Sequence, residues 1–196
     1  TTSSKNAIAE IWLKLYNEIA NINNFLQYLE SNGDVIVTEG YRDLMKGEAL
    51  GLRAFHYFDL LRLFGASYAE NPTKMAIPYV TAYTSDVFPQ RTVTDVLGMV
   101  LEDLKAASDY LKSDPLYTGK AVSETDDNGY LLNRQVHLNY YAVKGLMARV
   151  YLYKKDYANA ALCATEVVES GKFKWVEQSN LTNEKTADLS FSTEHL

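Results

Sequence analysis

Residues 142–170, with the sequence AVKGLMARVYLYKKDYANAALCATEVVES, decide the fold of this chain. Ala148 and Ala160 lie twelve positions apart, on either side of a polar break at residues 154–156. Further members of the pattern follow at helical intervals: Tyr151, Tyr157, Ala164 and Val167. Small side chains let two helix backbones approach, and aromatic rings fill the space beside them. The stretch therefore predicts two helices that are joined by a turn and pack against each other.

This arrangement is typical of a tetratricopeptide (TPR) helical hairpin, whose repeat length is about 34 residues. One such hairpin cannot bury its own apolar face, so the sequence predicts neighbouring helices that stack on it. The pattern favours a scaffold that holds partners over a pocket that carries out a reaction.

Size and composition narrow the class of protein. The chain has 196 residues, of which 47% are hydrophobic, and this is enough for one compact domain with a core. The formal net charge of -6 argues against nucleic-acid binding, which requires a basic surface. No apolar run reaches the roughly 18 residues of a membrane-spanning helix. Cys163 is the single cysteine, so it forms no internal disulfide and is expected to be a small buried residue.

Apolar periodicity predicts an all-α fold of stacked helical hairpins with long irregular loops. The helices are expected at about residues 6–31, 38–64, 93–112, 134–154 and 156–170, with an irregular tail at 172–196. Helices one and two are expected to pair, as are helices four and five. Helix three also needs a partner, most simply helix four.

Several single residues lead to more specific expectations. Arg53 lies in a helix that is apolar on nearly every side, so it must find a carboxylate or backbone carbonyls. Gly33 is expected to end the first helix in a left-handed conformation. Thr92 and Asp95 have the spacing of a capping box. Three asparagines in the first helix are placed to bond to a neighbouring helix or loop: Asn21, Asn23 and Asn24.

The two long loops, at residues 65–91 and 113–133, carry the candidate ligand-binding residues. A loop as long as the first is usually functional in a compact domain, and its MAIPYV piece looks extended. Exposed aromatic rings in such loops can stack on the apolar face of a sugar ring. The candidates are Tyr68, Tyr83, Phe88, Tyr117 and Tyr130. The alternative is that these rings fold back onto the helices, and this is expected above all for Tyr79.

No residue pattern predicts catalysis, a metal site or a cofactor. The three histidines, His56, His137 and His195, are far apart, and neither an HExxH nor a CxxC motif is present. The adjacent acidic pairs Glu102–Asp103 and Asp126–Asp127 are interpreted as solvated side chains. A calcium site at Asp126, Asp127 and Asn128 is a minor alternative, because the alternating ligand spacing of a calcium loop is missing.

Four segments resemble the SusD/RagB family in the order in which they occur. They are LRAFHYFDLLRLFG, IPYV in the first loop, RTVTDVLGMVLEDLKAA, and NYYAVKGLMARVYLYKKDYANAALCATEVVESGKFKW. The first helix, with Trp12, Tyr16, Ile19 and Asn21, is similar to an early helix of that family. The resemblance covers roughly residues 10–176.

The resemblance implies a non-catalytic binding protein without a cofactor, of the kind found as a lipoprotein at the outer-membrane surface of Bacteroidetes. Such proteins capture oligosaccharides, and sometimes peptides, for import. They cap a SusC-type TonB-dependent transporter, which would be the protein partner. In that family the TPR helices form the scaffold that docks on the transporter. Ligand contacts come largely from loops and from the rest of the chain.

The sequence departs from the family pattern in extent. The lipidated cysteine, the segment before the Trp12 helix and the long C-terminal half are missing. We therefore expect residues 1–196 to be a single partial domain, the family's N-terminal TPR region, soluble by itself and without the lipid anchor. An apolar patch is expected where neighbours are absent.

Two other functions remain open from the sequence. A generic TPR adaptor would grip a peptide in its concave groove, and inward-pointing Asn and Lys side chains would favour this function. The loop at residues 65–91 fits such an adaptor poorly. A glycoside hydrolase would need two convergent carboxylates in a cleft, and no such pair is evident.

Overall fold

A computed structural model describes residues 2–123 and 129–182 of the chain. Its longer helices are α1 (Thr2–Asn32), α2 (Tyr41–Phe64), α3 (Val93–Tyr110), α5 (Tyr140–Tyr153) and α6 (Tyr157–Glu169). Two short helices are α4 (Pro115–Thr118) and α7 (Gln178–Thr182). Strands β1 (Met75–Pro78) and β2 (Gln90–Thr92) form an antiparallel pair in which Met75 faces Thr92. The predicted all-α class with helical hairpins is confirmed.

The first two helices pair as predicted. At the turn between them the left-handed glycine is Gly40 and not Gly33. Gly40 adopts a φ of 82° before α2, so this helix begins at Tyr41 and not at residue 38. Gly33 has no left-handed conformation, so the prediction of a cap there is wrong. It begins the short 3-10 turn Gly33–Val35, where an added Cβ would lie 2.5 Å from the Nε of Arg42. The contact is with the outer end of the flexible, partly exposed Arg42 side chain, which can move aside, so neither a positive φ nor a fixed neighbour requires glycine at position 33.

Helix α3 begins at the predicted capping box. The Asp95 amide donates to the Thr92 hydroxyl over 3.1 Å, and the Thr92 amide donates to the Asp95 carboxylate over 3.4 Å. The expected partner of α3 was the next long helix, but α3 packs more extensively on α2 than on α5. Gly47 of α2 permits this approach, because an added Cβ would lie 2.7 Å from the Leu111 side chain.

The fourth predicted helix begins later than residue 134. Asn133 has a left-handed φ of 53°, and only a short 3-10 turn, Arg134–Val136, follows it. Asn139 then caps α5, since its side-chain oxygen accepts from the Ala142 amide over 2.9 Å. Its amide nitrogen donates to the Arg134 carbonyl over 3.0 Å. These bonds within the loop replace the predicted first turns of the helix.

The second helix of the α5 and α6 hairpin lies within one residue of its predicted bounds at each end. Asp156 caps α6, because its carboxylate accepts from the Asn159 amide over 3.2 Å. Gly171 follows the helix with a left-handed φ of 64°. The tail that was expected to be irregular contains α7 within its described part.

The core lies where α2, α3, α5 and the β1 segment meet. Its largest fully buried side chains include Tyr57, Phe58, Leu60, Leu61, Ile77, Leu97 and Leu104. Cys163 is buried and Tyr79 folds onto the helices, both as predicted. In the described part of the chain, no helix combines the length and the apolar character needed to cross a bilayer.

Candidate binding site

Arg53, in the middle of α2, is buried and forms a bidentate ion pair with Asp103 of α3. Its Nε and one terminal nitrogen donate to the two carboxylate oxygens of Asp103, each over 2.7 Å. The other terminal nitrogen donates to the side-chain oxygen of Asn23 on α1 over 2.9 Å. A buried guanidinium needs such partners because an uncompensated buried charge is costly. The prediction that Arg53 finds a carboxylate is confirmed, as is the bond from an α1 asparagine to another helix.

The same cluster attaches the middle of the first loop, at Tyr79 and Val80, to three helices. The Tyr79 hydroxyl donates to Asp103 over 2.7 Å, and the Asn23 amide donates to the Val80 carbonyl over 2.9 Å. The Tyr57 hydroxyl donates to that carbonyl over 2.9 Å and accepts from the Val80 amide over 2.7 Å. Buried and partly buried hydrogen bonds therefore fix the loop to the scaffold just after β1.

Asp103 is not a solvated carboxylate, so the interpretation of the Glu102–Asp103 pair as solvated is wrong for this residue. Glu102 is exposed, whereas both oxygens of Asp103 are engaged by Arg53 and Tyr79. Burial and the adjacent Asp103 carboxylate hold the pKa of Tyr79 well above its usual value. The pair does not supply two carboxylates that converge on a cleft, as glycoside cleavage requires.

Three of the candidate aromatic residues lie in the first loop. Tyr68 is half-buried and packs against the core just after α2. Tyr83, between β1 and β2, is 56% exposed, and Phe88 is half-buried in the same connection. Tyr79, which was not a candidate, stacks on Tyr57 with ring centroids 3.7 Å apart.

Tyr117, on α4, presents an exposed ring that other aromatic side chains support. It is 39% exposed, and its ring centroid lies 4.4 Å from that of Tyr140 and 6.3 Å from that of Tyr141. The Tyr140 hydroxyl donates to the Glu166 carboxylate, which also pairs with Lys144 over 3.1 Å. Burial, together with the bond to Glu166, raises the pKa of Tyr140 above its usual value. The supporting ring is therefore itself held in place.

Tyr130 belongs to a different cluster and is half-buried. Its ring lies 5.2 Å from that of Tyr41, and the Arg134 guanidinium lies 5.6 Å from its centroid. Arg134 is buried and forms ion pairs with Glu48 over 2.5 Å and with Asp114 over 2.9 Å. The Tyr130 hydroxyl is buried without a hydrogen-bond partner among the described residues. Burial, followed by the nearby Glu48 carboxylate, raises the pKa of Tyr130 to about 12.

The five candidates do not form one surface. Tyr130 contacts Tyr41, the first residue of α2, whereas Tyr68 follows the last residue of that helix. A rise of about 1.5 Å per residue makes α2 roughly 36 Å long. Tyr83 and Phe88 follow Val80 along the chain, and Val80 bonds to Tyr57 in the C-terminal half of α2. Tyr130 of the second loop is therefore separated along the scaffold from the aromatic residues of the first loop.

An apolar groove on α5 and α6 was not identified as a site from the sequence. It has a volume of about 530 Å³ and is lined by Ala142, Gly145 and Ala148 of α5, Val167 and Val168 of α6, and Trp175. Trp175 is 73% exposed and Val168 is 57% exposed. The groove is an apolar patch of the kind that the sequence predicts. The sequence feature that could have revealed this groove is that α5 is apolar on two faces, and only one of them packs into the core.

The described residues contain no group of three or more His, Cys, Asp or Glu side chains that could hold a metal ion. His56 on α2 and His137 before α5 lie in separate parts of the described chain. His195 and the minor calcium alternative at Asp126, Asp127 and Asn128 lie outside the described residues.

Comparison with protein families gives a match over most of the chain. A SusD-like family, described as starch-binding and associating with the outer membrane, matches residues 1–152. None of the curated proteins that were compared with the chain matches it.

Several solved structures share the fold. A SusD superfamily protein from Bacteroides thetaiotaomicron is 26% identical, with a TM-score of 0.67 over 87% of this chain and 34% of that protein. A SusD-like carbohydrate binding protein from Bacteroides vulgatus is 21% identical, with a TM-score of 0.70 over 88% of this chain and 33% of the other. Surface glycan-binding protein A from Bacteroides uniformis is 23% identical, with a TM-score of 0.68 over 92% of this chain and 36% of that protein.

The chain spans about one third of the length of these structural relatives. The resemblance inferred from the four ordered segments agrees with the family match, which includes the first three segments and the start of the fourth. The chain belongs to the SusD-like family.

Proposed function

We propose that the chain is part of a non-catalytic binding component of nutrient uptake at the outer membrane, which captures oligosaccharide and associates with a SusC-type TonB-dependent transporter. The observation that carries the proposal is the family match over residues 1–152, whose description is starch-binding and associating with the outer membrane. Solved structures of relatives described as carbohydrate-binding, glycan-binding and laminarin-binding proteins also support it.

Among the candidate aromatic residues, Tyr117 has the geometry best suited to a sugar ring. A stacking platform needs an exposed face that does not lose freedom when the sugar binds, since ordering a side chain costs free energy. Tyr117 is partly exposed, and Tyr140 and Tyr141 support its ring. Tyr83 is more exposed, and no ring contact of this residue is found in the described part of the chain. Tyr117 is therefore the proposed platform, and Tyr83 is the second candidate.

Charged side chains near Tyr117 supply hydrogen-bonding groups for sugar hydroxyls. Lys112 pairs with Asp109 over 2.6 Å, and both side chains are more than half exposed. Lys144 pairs with Glu166 beside Tyr140, and the Glu166 side chain is 40% exposed. A few polar groups placed around an apolar contact fix the orientation of a bound ligand.

Affinity electrophoresis tests this proposal with the chain itself. The chain is run in native gels that contain starch or laminarin, and it is expected to migrate more slowly than in plain gels. Tyr117→Ala is expected to remove most of the retardation, roughly tenfold in affinity, because a stacked ring contributes about 1–3 kcal/mol on burial. Tyr28→Ala is the matched control, since Tyr28 is 63% exposed on α1. Unchanged migration in every polysaccharide would contradict oligosaccharide capture.

The transporter partnership needs its own test. The chain, carrying an affinity tag, is expressed together with a SusC-type transporter encoded beside it in the genome. The transporter is expected to co-purify with the chain at a stoichiometric ratio. Absence of such a gene together with absence of any co-purifying transporter would contradict this part of the proposal.

A generic TPR adaptor is the second candidate, and the apolar groove on α5 and α6 favours it. The carboxylate clamp that such an adaptor uses needs inward-pointing Asn and Lys side chains. The groove contains the cations Arg149 and Lys174, but no asparagine lines it among the described residues. Peptide binding in the groove without any polysaccharide binding would favour the adaptor function.

A further inference from the structure

The Tyr117 platform lies on a very short helix that one buried carboxylate caps. Helix α4 spans only Pro115–Thr118, and a helix of this length is not stable through its own hydrogen bonds. Asp114 supplies the missing bonds, because its Oδ1 accepts from the Leu116 amide over 2.8 Å. Its backbone carbonyl accepts from the amides of Tyr117 and Thr118, each over 2.9 Å. The position of the Tyr117 backbone therefore depends on Asp114.

Arg134 holds the Asp114 carboxylate from the other end of the second loop. The Arg134 Nε donates to Oδ2 of Asp114 over 2.9 Å, and one terminal nitrogen of Arg134 lies 2.9 Å from the same oxygen. The other terminal nitrogen forms an ion pair with Glu48 of α2 over 2.5 Å. Asp114 and Arg134 are twenty positions apart in the sequence. Their ion pair therefore closes the second loop and attaches it to α2.

Arg134 also bonds to the residue that caps the helix of the supporting ring. Its carbonyl accepts from the side-chain amide of Asn139 over 3.0 Å, and Asn139 caps α5. Tyr140, whose ring supports that of Tyr117, is the first residue of α5. Arg134 is therefore bonded to the capping residues of both helices, Asp114 before α4 and Asn139 before α5. These bonds fix the position of one ring relative to the other.

We infer that Asp114 and Arg134 are positioning residues for glycan binding, which hold the Tyr117 ring against Tyr140. The side chain of Asp114 is 0% exposed and that of Arg134 is 3% exposed, so neither touches a bound sugar. A ring that is already ordered loses less conformational freedom when the sugar binds. The inference rests on the proposed function of Tyr117, whereas the effect of the ion pair on α4 is measured without any glycan.

Two conservative variants weaken the ion pair. Asp114→Asn keeps a side-chain oxygen for the Leu116 amide but removes the negative charge that faces Arg134. Arg134→Lys keeps the positive charge but loses the bond from Nε. Each variant is expected to bind a maltooligosaccharide or a laminarin oligosaccharide about three- to tenfold more weakly in calorimetry, because the ring must now be ordered on binding. Titrations are carried out at a temperature at which helical circular dichroism shows every variant to be folded.

A matched control and a double variant separate positioning from a general loss of stability. Asp103→Asn makes the same exchange in the other buried pair, with Arg53, and is expected to lower the melting temperature without changing the oligosaccharide affinity. In a Tyr117→Ala chain, Asp114→Asn is expected to cause no further loss of affinity. A residue that acts through the Tyr117 ring has no effect on binding once that ring is removed.

Hydrogen exchange of the chain without glycan tests the structural part. The Leu116 amide is expected to exchange at least about fivefold faster in Arg134→Lys than in the wild-type chain, because the cap of α4 is loosened. The Asn159 amide, which the Asp156 carboxylate caps on α6, is the matched control and is expected to exchange at an unchanged rate.

The results that would overturn the inference differ from those that would overturn the proposed function. Unchanged exchange of the Leu116 amide would show that the ion pair does not hold α4. Oligosaccharide affinities that are equal in the wild-type chain and Asp114→Asn, or reduced equally by Asp114→Asn and Asp103→Asn, would remove the positioning role. A further loss of affinity when Asp114→Asn is added to Tyr117→Ala would do the same. Absence of oligosaccharide binding by the wild-type chain would instead contradict the proposed function, and with it any role of the pair in binding.

Discussion

Arg53 on α2 and Asp103 on α3 form two parallel hydrogen bonds of 2.7 Å between buried side chains. The pair joins the two helices that contact each other most extensively in the structure. Because Asp103 also accepts from Tyr79, the same carboxylate connects the helical scaffold to the middle of the first loop, just after β1.

Removing the carboxylate of this pair is expected to destabilise the fold strongly. Asp103→Ala leaves the Arg53 guanidinium buried without its counter-ion, which costs about 3–5 kcal/mol. The free energy of unfolding, measured by urea denaturation, is expected to fall by this amount. Glu102→Ala, at the exposed neighbouring position, is expected to change it by less than about 0.5 kcal/mol. Similar decreases in the free energy of unfolding for both variants would contradict a stabilising role of the buried Arg53–Asp103 pair.

The Tyr57 hydroxyl is expected to hold the Val80 backbone in place. In Tyr57→Phe the half-buried Val80 amide loses its acceptor, which is expected to cost about 1 kcal/mol of stability. Hydrogen exchange of the Val80 amide is expected to become faster than in the wild-type chain. Tyr28→Phe, at an exposed position of α1, serves as the control and is expected to leave exchange at Val80 unchanged.

Replacing each of two helical glycines by alanine is expected to change the stability of the chain in opposite directions. At Gly47 an added Cβ would lie 2.7 Å from the Leu111 side chain and 3.1 Å from the Ala107 carbonyl. Gly47→Ala is therefore expected to destabilise the chain by about 1–3 kcal/mol through overpacking. At Gly98 nothing lies within 4 Å of an added Cβ, so Gly98→Ala is expected to stabilise it by about 0.5–1 kcal/mol. Thermal unfolding of the two variants measures both effects, and shifts of the same sign would contradict this packing.

Alkaline pH is expected to unfold the chain. Burial raises the pKa of Tyr130 to about 12, and it raises the pKa of Tyr16 and Tyr57 further above the ordinary value of 10.0. These groups keep their protons in the folded chain, while the unfolded chain releases them from about pH 10. Stability is therefore fully present below pH 10 and falls as pH rises through the folded-state pKa values.

A titration that follows tyrosinate absorbance and helical circular dichroism together tests this pH dependence. The buried tyrosines are expected to ionise in one cooperative step that coincides with loss of helix. Gradual ionisation of every tyrosine near pH 10, with the helical signal intact, would contradict the burial of these hydroxyls.

Residue type and spacing are sufficient to predict a helix end when the capping residues are close to that end in the sequence. Asp156 and Gly171 enclose α6, and both positions can be identified from residue type and spacing alone. The start of α5 was placed too early because apolar residues continue the helical period through Leu138 into the preceding turn. The bonds from Asn139 that end this period connect residues of the loop itself, and periodicity does not register them.

Contacts between distant residues were the part that the sequence did not predict. The Arg53 requirement for a carboxylate was evident from its apolar helix, but Asp103 is fifty positions away and looked solvated. Likewise, nothing local distinguishes Tyr117, which Tyr140 supports, from Tyr83, which has no such ring contact in the described chain. Which loop aromatics are covered depends on the helices that they meet.

Calorimetric titration of the chain and of Tyr117→Ala with a maltooligosaccharide and a laminarin oligosaccharide tests the central claim most directly. Saturable binding of at least one oligosaccharide is predicted for the chain, with an affinity about tenfold lower for Tyr117→Ala and unchanged for Tyr28→Ala. Absence of binding, or equal affinities of the Tyr117→Ala and Tyr28→Ala variants, would contradict the account of this chain as a glycan-capturing scaffold.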